Sequence, residues 1–331
     1  MDVYGWLTGS WELEVCQYAG ADLRALQMRG EAHFGWVLEG RAVQDVWIMP
    51  RIAERGPHLD KTNNMYGTTF RVWNPAIQAW HIEWMNPASG HRERQTGRRI
   101  GNEIVQTGAR PDGTATRWRF TEITSDSFHW IGEALQPDGR SWMLEGEFRA
   151  KRMDPAGEPS RFHSALMAPG RSQEIVGLED LYGCLIGSWE LEVHRYEPGG
   201  SSISSNGEVH FTWALEGRAV QDVWIMPKRP ERAVGMDKRV NRYGTTLRIW
   251  NPSIQAWDIL WIDPVTGNRD QMIARRVGQD IVQVGTQADG TPIRWSFTEV
   301  TGDSFHWLGE SLQDDGRTWR LGAEFYARRK Q

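Results

Sequence analysis

Four ionisable side chains recur at matched positions of an internal repeat, each set among aromatic residues. They are Asp45, Arg71, His129 and Glu133, with Asp222, Arg248, His306 and Glu310 as the second set. These types suit acid–base chemistry on a small molecule. An imidazole or carboxyl group moves the proton, a carboxylate orients or charge-balances it, and a guanidinium holds developing negative charge. His129 or Glu133, or His306 or Glu310, is the expected acid or base; Asp45 and Arg71 assist in the first half, Asp222 and Arg248 in the second. His129 and Glu133 fall four apart in an alternating FHWIGE run, so they share one strand face, about 13 Å apart. Asp45 shares a face with Trp47, and Arg71 with Trp73. A structural reading competes. Phe128 and Trp130 lie opposite His129 and Glu133 and form the natural core face, and an Asp–Arg pair can simply bridge a barrel end.

Other chemistries lack their residues. No GxSxG, HExxH, Walker A or strand-following GxGxxG occurs. Neither cysteine recurs: Cys16 is matched by His194, and Cys184 by Trp6. The repeated histidines are His33/His210 and His129/His306, too few for an evident metal site, so no metal and no cofactor is expected. A net charge of −5 argues against a nucleic-acid partner. No apolar run reaches membrane length, and the N-terminal sequence lacks a signal-peptide pattern. With two cysteines that do not form a framework, a cytoplasmic, membrane-free protein is expected. Glu83 and His81 are confined to the first half, as drift on a solvated face or as specialisation of one pocket. Arg41 sits in a hairpin turn and is given no chemistry, and Arg98–Arg99 reads as a charged strand edge.

The elements that must position these groups are set by the repeat. GSWELEV recurs at Gly9 and Gly187, LEGRAVQDVWIMP at Leu38 and Leu215, YGTT at Tyr66 and Tyr243, and DSFHW at Asp126 and Asp303. Of 19 tryptophans only Trp6 lacks a counterpart. Repeats this long are whole domains. The first spans residues 1–152, a Pro/Gly/Ser-punctuated linker spans 153–178 with a short helix expected over Ser172–Tyr182, and the second domain spans 179–331. Each half alternates apolar and polar residues with period two, broken by turn signals such as Asn74-Pro75 and Pro137-Asp138-Gly139. Eight or so antiparallel strands of this kind close into a barrel or stack as a sandwich. So many tryptophans exceed the needs of a small core. Trp47, Trp73, Trp84, Trp118 and Trp130, with Trp224, Trp250, Trp261, Trp295 and Trp307, are expected to line substrate pockets.

Gly9-Ser10-Trp11 and Gly187-Ser188-Trp189 resemble the G-x-W that opens the first strand of lipocalins and other calycins. GRAVQDVWI, YGTT and F-x-W-x-G-E are similar to strings in bacterial calycin-like proteins of unassigned function, which usually have one such domain. The resemblance implies an all-β protein of two tandem antiparallel calycin (lipocalin-like) β-barrels. It implies a Trp plug at each closed end, crossed by a basic residue from the last strand: Arg149, Lys151 or Arg152 in one half, Arg328 or Arg329 in the other. It also implies a pocket for a small, mostly apolar molecule. The motifs of secreted lipocalins are missing. The expected function is binding of a small hydrophobic or aromatic molecule, with cofactor-independent lyase or isomerase action of dehydratase or cyclase type. A non-catalytic carrier, a haem-binding barrel with a histidine axial ligand and a carbohydrate-binding module are alternatives. Apolar residues on both strand faces, such as Val43 and Val46, lead to an expected pseudo-twofold pairing of the halves.

Overall fold

The computed structural model describes residues 3–18, 28–56, 59, 64–110, 112–155, 160–175, 180–237 and 241–330. The chain divides into two compact units, Met1–Leu166 and Met167–Gln331. The division falls inside the segment expected to link the halves.

Period-two patterning yields ten strands in the first unit: β1 (Gly9–Tyr18), β2 (Arg29–Val37), β3 (Ala42–Met49), β4 (Met65–Asn74), β5 (Ala79–Asn86), β6 (His91–Ile100), β7 (Glu103–Ala109), β8 (Ala115–Thr121), β9 (Ser127–Leu135) and β10 (Trp142–Arg152). The second unit repeats them as β11 (Gly187–Tyr196), β12 (Ser202–Ala214), β13 (Ala219–Met226), β14 (Arg242–Asn251), β15 (Ala256–Asp263), β16 (Asn268–Val277), β17 (Asp280–Thr286), β18 (Pro292–Thr298), β19 (Ser304–Leu312) and β20 (Trp319–Arg329). Consecutive strands pair antiparallel, β10 returns to β1, and β20 returns to β11. The protein is therefore all-β, two tandem closed ten-strand barrels rather than a pair of sandwiches. Closure leaves no sheet edge to protect.

One end of each barrel is sealed by its first strand. Trp11 and Trp189 are fully buried, and each donates its indole N–H to a carbonyl four residues back, Leu7 or Leu185, at 2.8 Å. Arg152 lies over Trp11, its guanidinium carbon 4.0 Å from the ring centroid, and donates to the carbonyls of Trp6 and Thr8. Arg329 does the same over Trp189 at 4.1 Å, bonding the carbonyls of Cys184 and Ile186. Arg149, Lys151 and Arg328 are exposed instead, because Arg152 and Arg329 have the inward parity of Phe148 and Phe325. Gly9 has φ 115°, and a Cβ there would stand 2.9 Å from Arg152 Nη1. Both facts call for glycine at the head of the motif.

A single α-helix among the described residues, α1 (Ser160–Leu166), lies against β1, β2 and β3. Its buried face is Phe162, Ala165 and Leu166, and the Tyr66 hydroxyl donates to Ala165 O at 2.7 Å. Gly35 admits Phe162: a Cβ would meet its ring at 2.6 Å. Thr212 occupies the matching place in the second half. The helix expected over Ser172–Tyr182 is thus displaced to α1; residues 173–174 form a turn, and 176–179 lie outside the described residues. The earlier segment forms the helix because it has the apolar face that fits the barrel wall. Among the described residues no helix is long and apolar enough to cross a membrane. Neither cysteine is in a disulfide.

Candidate functional site

Inward parity on β3 places Val43, Asp45, Trp47 and Met49 in the barrel, and on β4 it places Thr69 and Arg71 beside them. Asp45 and Arg71 are 0% and 2% exposed. Arg71 Nη1 donates to Asp45 Oδ2, and the backbone N–H of Thr69 donates to Oδ1 at 2.7 Å. The guanidinium carbon of Arg71 lies 5.2 Å from the Tyr4 ring centroid, above the closed end. Burial raises the Tyr4 hydroxyl well above its ordinary pKa, and the Arg71 charge only partly opposes this. In the second barrel Arg248 Nη1 donates to Asp222 at 2.6 Å, and Thr246 N–H donates to the same carboxylate. A buried pair so placed is an internally neutral floor.

Above that floor the first barrel holds a cavity of about 460 Å³. Its walls are Trp47, Trp84, Trp118, Trp130 and Phe148. Trp130 stacks on Phe148 with centroids 4.9 Å apart and planes 9° apart, and Trp118 leans on Trp130 at 5.6 Å. The wall is therefore continuous and preorganised. At the mouth are His91, Glu93, Arg110 and Glu145. Arg110 donates from Nε to Glu93 at 3.1 Å, and from Nη1 and Nη2 to Glu145 at 2.9 and 2.5 Å. Thr116 Oγ1 donates to Glu93 at 2.7 Å, and His91 Nε2 lies 3.3 Å from Glu93 Oε1. Burial alone would raise the Glu93 carboxyl. Hydrogen bonds from His91 and Thr116 and the Arg110 charge outweigh it, holding the group below the usual carboxylate range. Glu145 enters the barrel because β10 is bulged between Leu144 and Gly146, which turns it inward.

The second barrel keeps the tryptophans but not the space. Its cavity is about 30 Å³, bordered by Trp224, Trp261, Trp295, Trp307 and Arg242. That holds about two waters. Arg242 stands where Met65 lines the first cavity, with Nε 3.7 Å from the buried Asp263 carboxylate. Asp270, Gln287 and Gly322 replace Glu93, Arg110 and Glu145. Asp270 is buried, and burial pushes its carboxyl up to about 6, against the pull of Arg242.

No protein-family model and no curated protein sequence matches the chain. Among solved structures it is similar to a protein of unknown function from the DUF3598 family of Nostoc punctiforme PCC 73102. The identity is 11%, the TM-score 0.29, and the match covers 98% of this chain and 97% of that one.

The expected constellation is divided by the barrel wall. His129 and Glu133 lie on the outer face of β9, because Phe128 and Trp130 take the interior positions. His129 Nε2 lies 2.7 Å from Glu147, and Glu133 is held by Arg117 at 2.9 Å and Arg119 at 3.2 Å. In the second half His306 is bound to Glu324 at 2.8 Å and stacked on Tyr326, and Glu310 is bound to Arg294 at 2.8 Å. These four are wall residues with surface partners, not cavity groups. Trp73 and Trp250 also fall outside the cavity linings. They sit two residues past Arg71 and Arg248, towards the closed ends, and pack on Trp80 and Trp257. Glu83, the first-half peculiarity, is on the outer face of β5 with Arg94 at 2.9 Å.

His91, Glu93, Arg110, Glu145 and Met65 were not singled out by the repeat. Attention to positions kept in both halves discards every one of them, except as a charge-conserving Glu93/Asp270 match. The signal that finds them is the opposite one, the lining positions at which the two copies differ.

Proposed function

We propose that the first barrel binds one small, largely aromatic molecule per chain and that the second barrel is its unliganded counterpart. The carrying observation is the contrast in free volume, about 460 Å³ against about 30 Å³, between two barrels with matching tryptophans. The larger value lies within the range of small-molecule sites, and its surface is apolar with a few convergent polar groups. The plug of Trp11 under Arg152, opposite the mouth, supports reading each half as calycin-like, with one closed and one open end. Haem ligation by His129 or His306 has less support, since both are turned to the outer face.

A second reading concerns turnover. If the molecule is a lyase or isomerase substrate, His91 and Glu93 are the acid–base pair, because they face each other at 3.3 Å on the cavity lining. Calorimetric titration of the full chain with a neutral two-ring aromatic, 2-naphthylmethanol, tests the binding site. One site per chain is expected, abolished by Met65→Arg with an unchanged melting temperature. Two equal sites, or binding that survives Met65→Arg, would contradict the assignment to the first barrel.

A further inference from the structure

We propose that the first-barrel cavity selects an aromatic molecule bearing a protonated amine, its rings against Trp84, Trp118 and Trp130 and its ammonium beside Glu93 and Glu145. The inference rests on the reading of this cavity as a binding site and adds the charge class of its occupant.

The charges point one way. At the floor Arg71 is matched by Asp45. At the mouth one guanidinium, Arg110, serves two carboxylates, Glu93 and Glu145. Leaving His91 aside, the described mouth has one more carboxylate than guanidinium. Gln95, 2% exposed, donates through Nε2 to Glu93 and Thr116 and leaves Oε1, an acceptor, without a partner. Arg110 already commits Nε and both terminal nitrogens to carboxylates, so it has no spare fork for an anionic ligand. Tryptophan faces carry a negative quadrupole that attracts cations and repels anions.

The second barrel supplies an independent observation. There the corresponding tryptophan-walled space is bordered by a cation, the guanidinium of Arg242, which pairs with Asp263, matched by Asn86 in the first barrel, and also acts on the carboxyl of Asp270, the counterpart of Glu93. Where the second copy has this built-in cation, the first has Met65 and open volume. The first barrel thus keeps the tryptophan walls and, in Glu93, the one shared acid position of a cation site, with the cation left to come from solution.

A matched trio tests this by calorimetry on the full chain: 2-naphthylmethylammonium, 2-naphthylmethanol and 2-naphthoate. The ammonium is expected to bind about tenfold tighter than the alcohol, with the carboxylate weakest. Glu145→Gln and Glu93→Gln should each narrow the ammonium–alcohol gap, weakening the ammonium more than the alcohol. Because a change at Glu93 also loosens a buried network, Glu145→Gln at the half-buried bulge is the control that keeps the fold. Equal or reversed preference among the three would overturn the charge class while leaving the binding site intact. A gap unchanged in both variants would overturn the placement of the ammonium. Binding by none of the three would overturn the site itself, and the inference with it.

Discussion

Arg152 caps Trp11 across the closed end of the first barrel, 4.0 Å from guanidinium carbon to ring centroid, and Arg329 repeats the relation over Trp189 at 4.1 Å. The guanidinium also ties two separate backbone segments, the N-terminal turn through the Trp6 and Thr8 carbonyls and the loop before β9 through the Ser125 carbonyl. Removing it leaves these acceptors and the ring uncovered. Arg152→Ala should lower stability by about 2–3 kcal/mol, read by urea unfolding. Ligand affinity should hold, because the mouth is at the other end of the barrel. An unchanged denaturation midpoint would show that the plug needs no arginine.

Asp45 and Arg71 form the most deeply buried ion pair of the first barrel among the described residues. Taking away one partner strands a charge in an apolar interior. Asp45→Asn or Arg71→Met alone should cost about 3–5 kcal/mol, and the double replacement Asp45→Leu with Arg71→Met should recover much of it. The same pattern should hold for Asp222 and Arg248. Denaturant titration of the singles and the double decides it: additive losses would mean that the two groups do not act as a pair.

The wall position of His129 and His306 separates structure from function. His129→Gln and His306→Gln, singly and together, should leave 2-naphthylmethanol affinity unchanged. Trp130→Phe or Trp47→Phe should weaken it, and Trp11→Phe should not, since Trp11 is plug and the other two are cavity wall. A histidine variant that stays folded and loses binding would return these residues to the site.

The two barrels should respond oppositely to pH. Asp270 titrates near 6 in the folded chain, raised from 3.8 by burial. Between those values the folded state keeps a proton that the unfolded chain has lost. Its contribution is complete below about pH 4 and disappears as pH rises through 6. Asp270→Asn should therefore raise the melting temperature at pH 8 and change little at pH 4. Glu93 is held below its ordinary value of 4.5, so its contribution is present above that pH and lost on acidification. An Asp270→Asn gain of equal size at both pH values would show that the carboxyl does not titrate in this window.

Much of the architecture was legible from residues alone. Period-two alternation with aromatics on one parity defines strands with two unlike faces, so Phe128 and Trp130 share one face of β9 and His129 and Glu133 the other. The repeat made two domains unavoidable, while the plug was implied by the resemblance of G-x-W to calycins, with its basic residue open among Arg149, Lys151 and Arg152, and Arg328 and Arg329. Asp45 and Arg71 were recognisable as a pair because each shares parity with a tryptophan. Helix α1 was not, because seven residues packed by tertiary contact to Gly35 carry little periodicity of their own.

What closure alone decided is the site. Parity says which residues share a face and not which face is inside, so His129 and Glu133 could be grouped with Asp45 until the wall came between them. His91 and Glu93 of β6, Arg110 from the β7–β8 turn and the bulged Glu145 of β10 meet only when β10 returns to β1. A cavity, moreover, is the difference between the volume a closed sheet encloses and the volume its side chains fill. Local patterning determines neither term, and here exchanging Met65 for Arg242, together with the changes around it, separates an open barrel from a filled one.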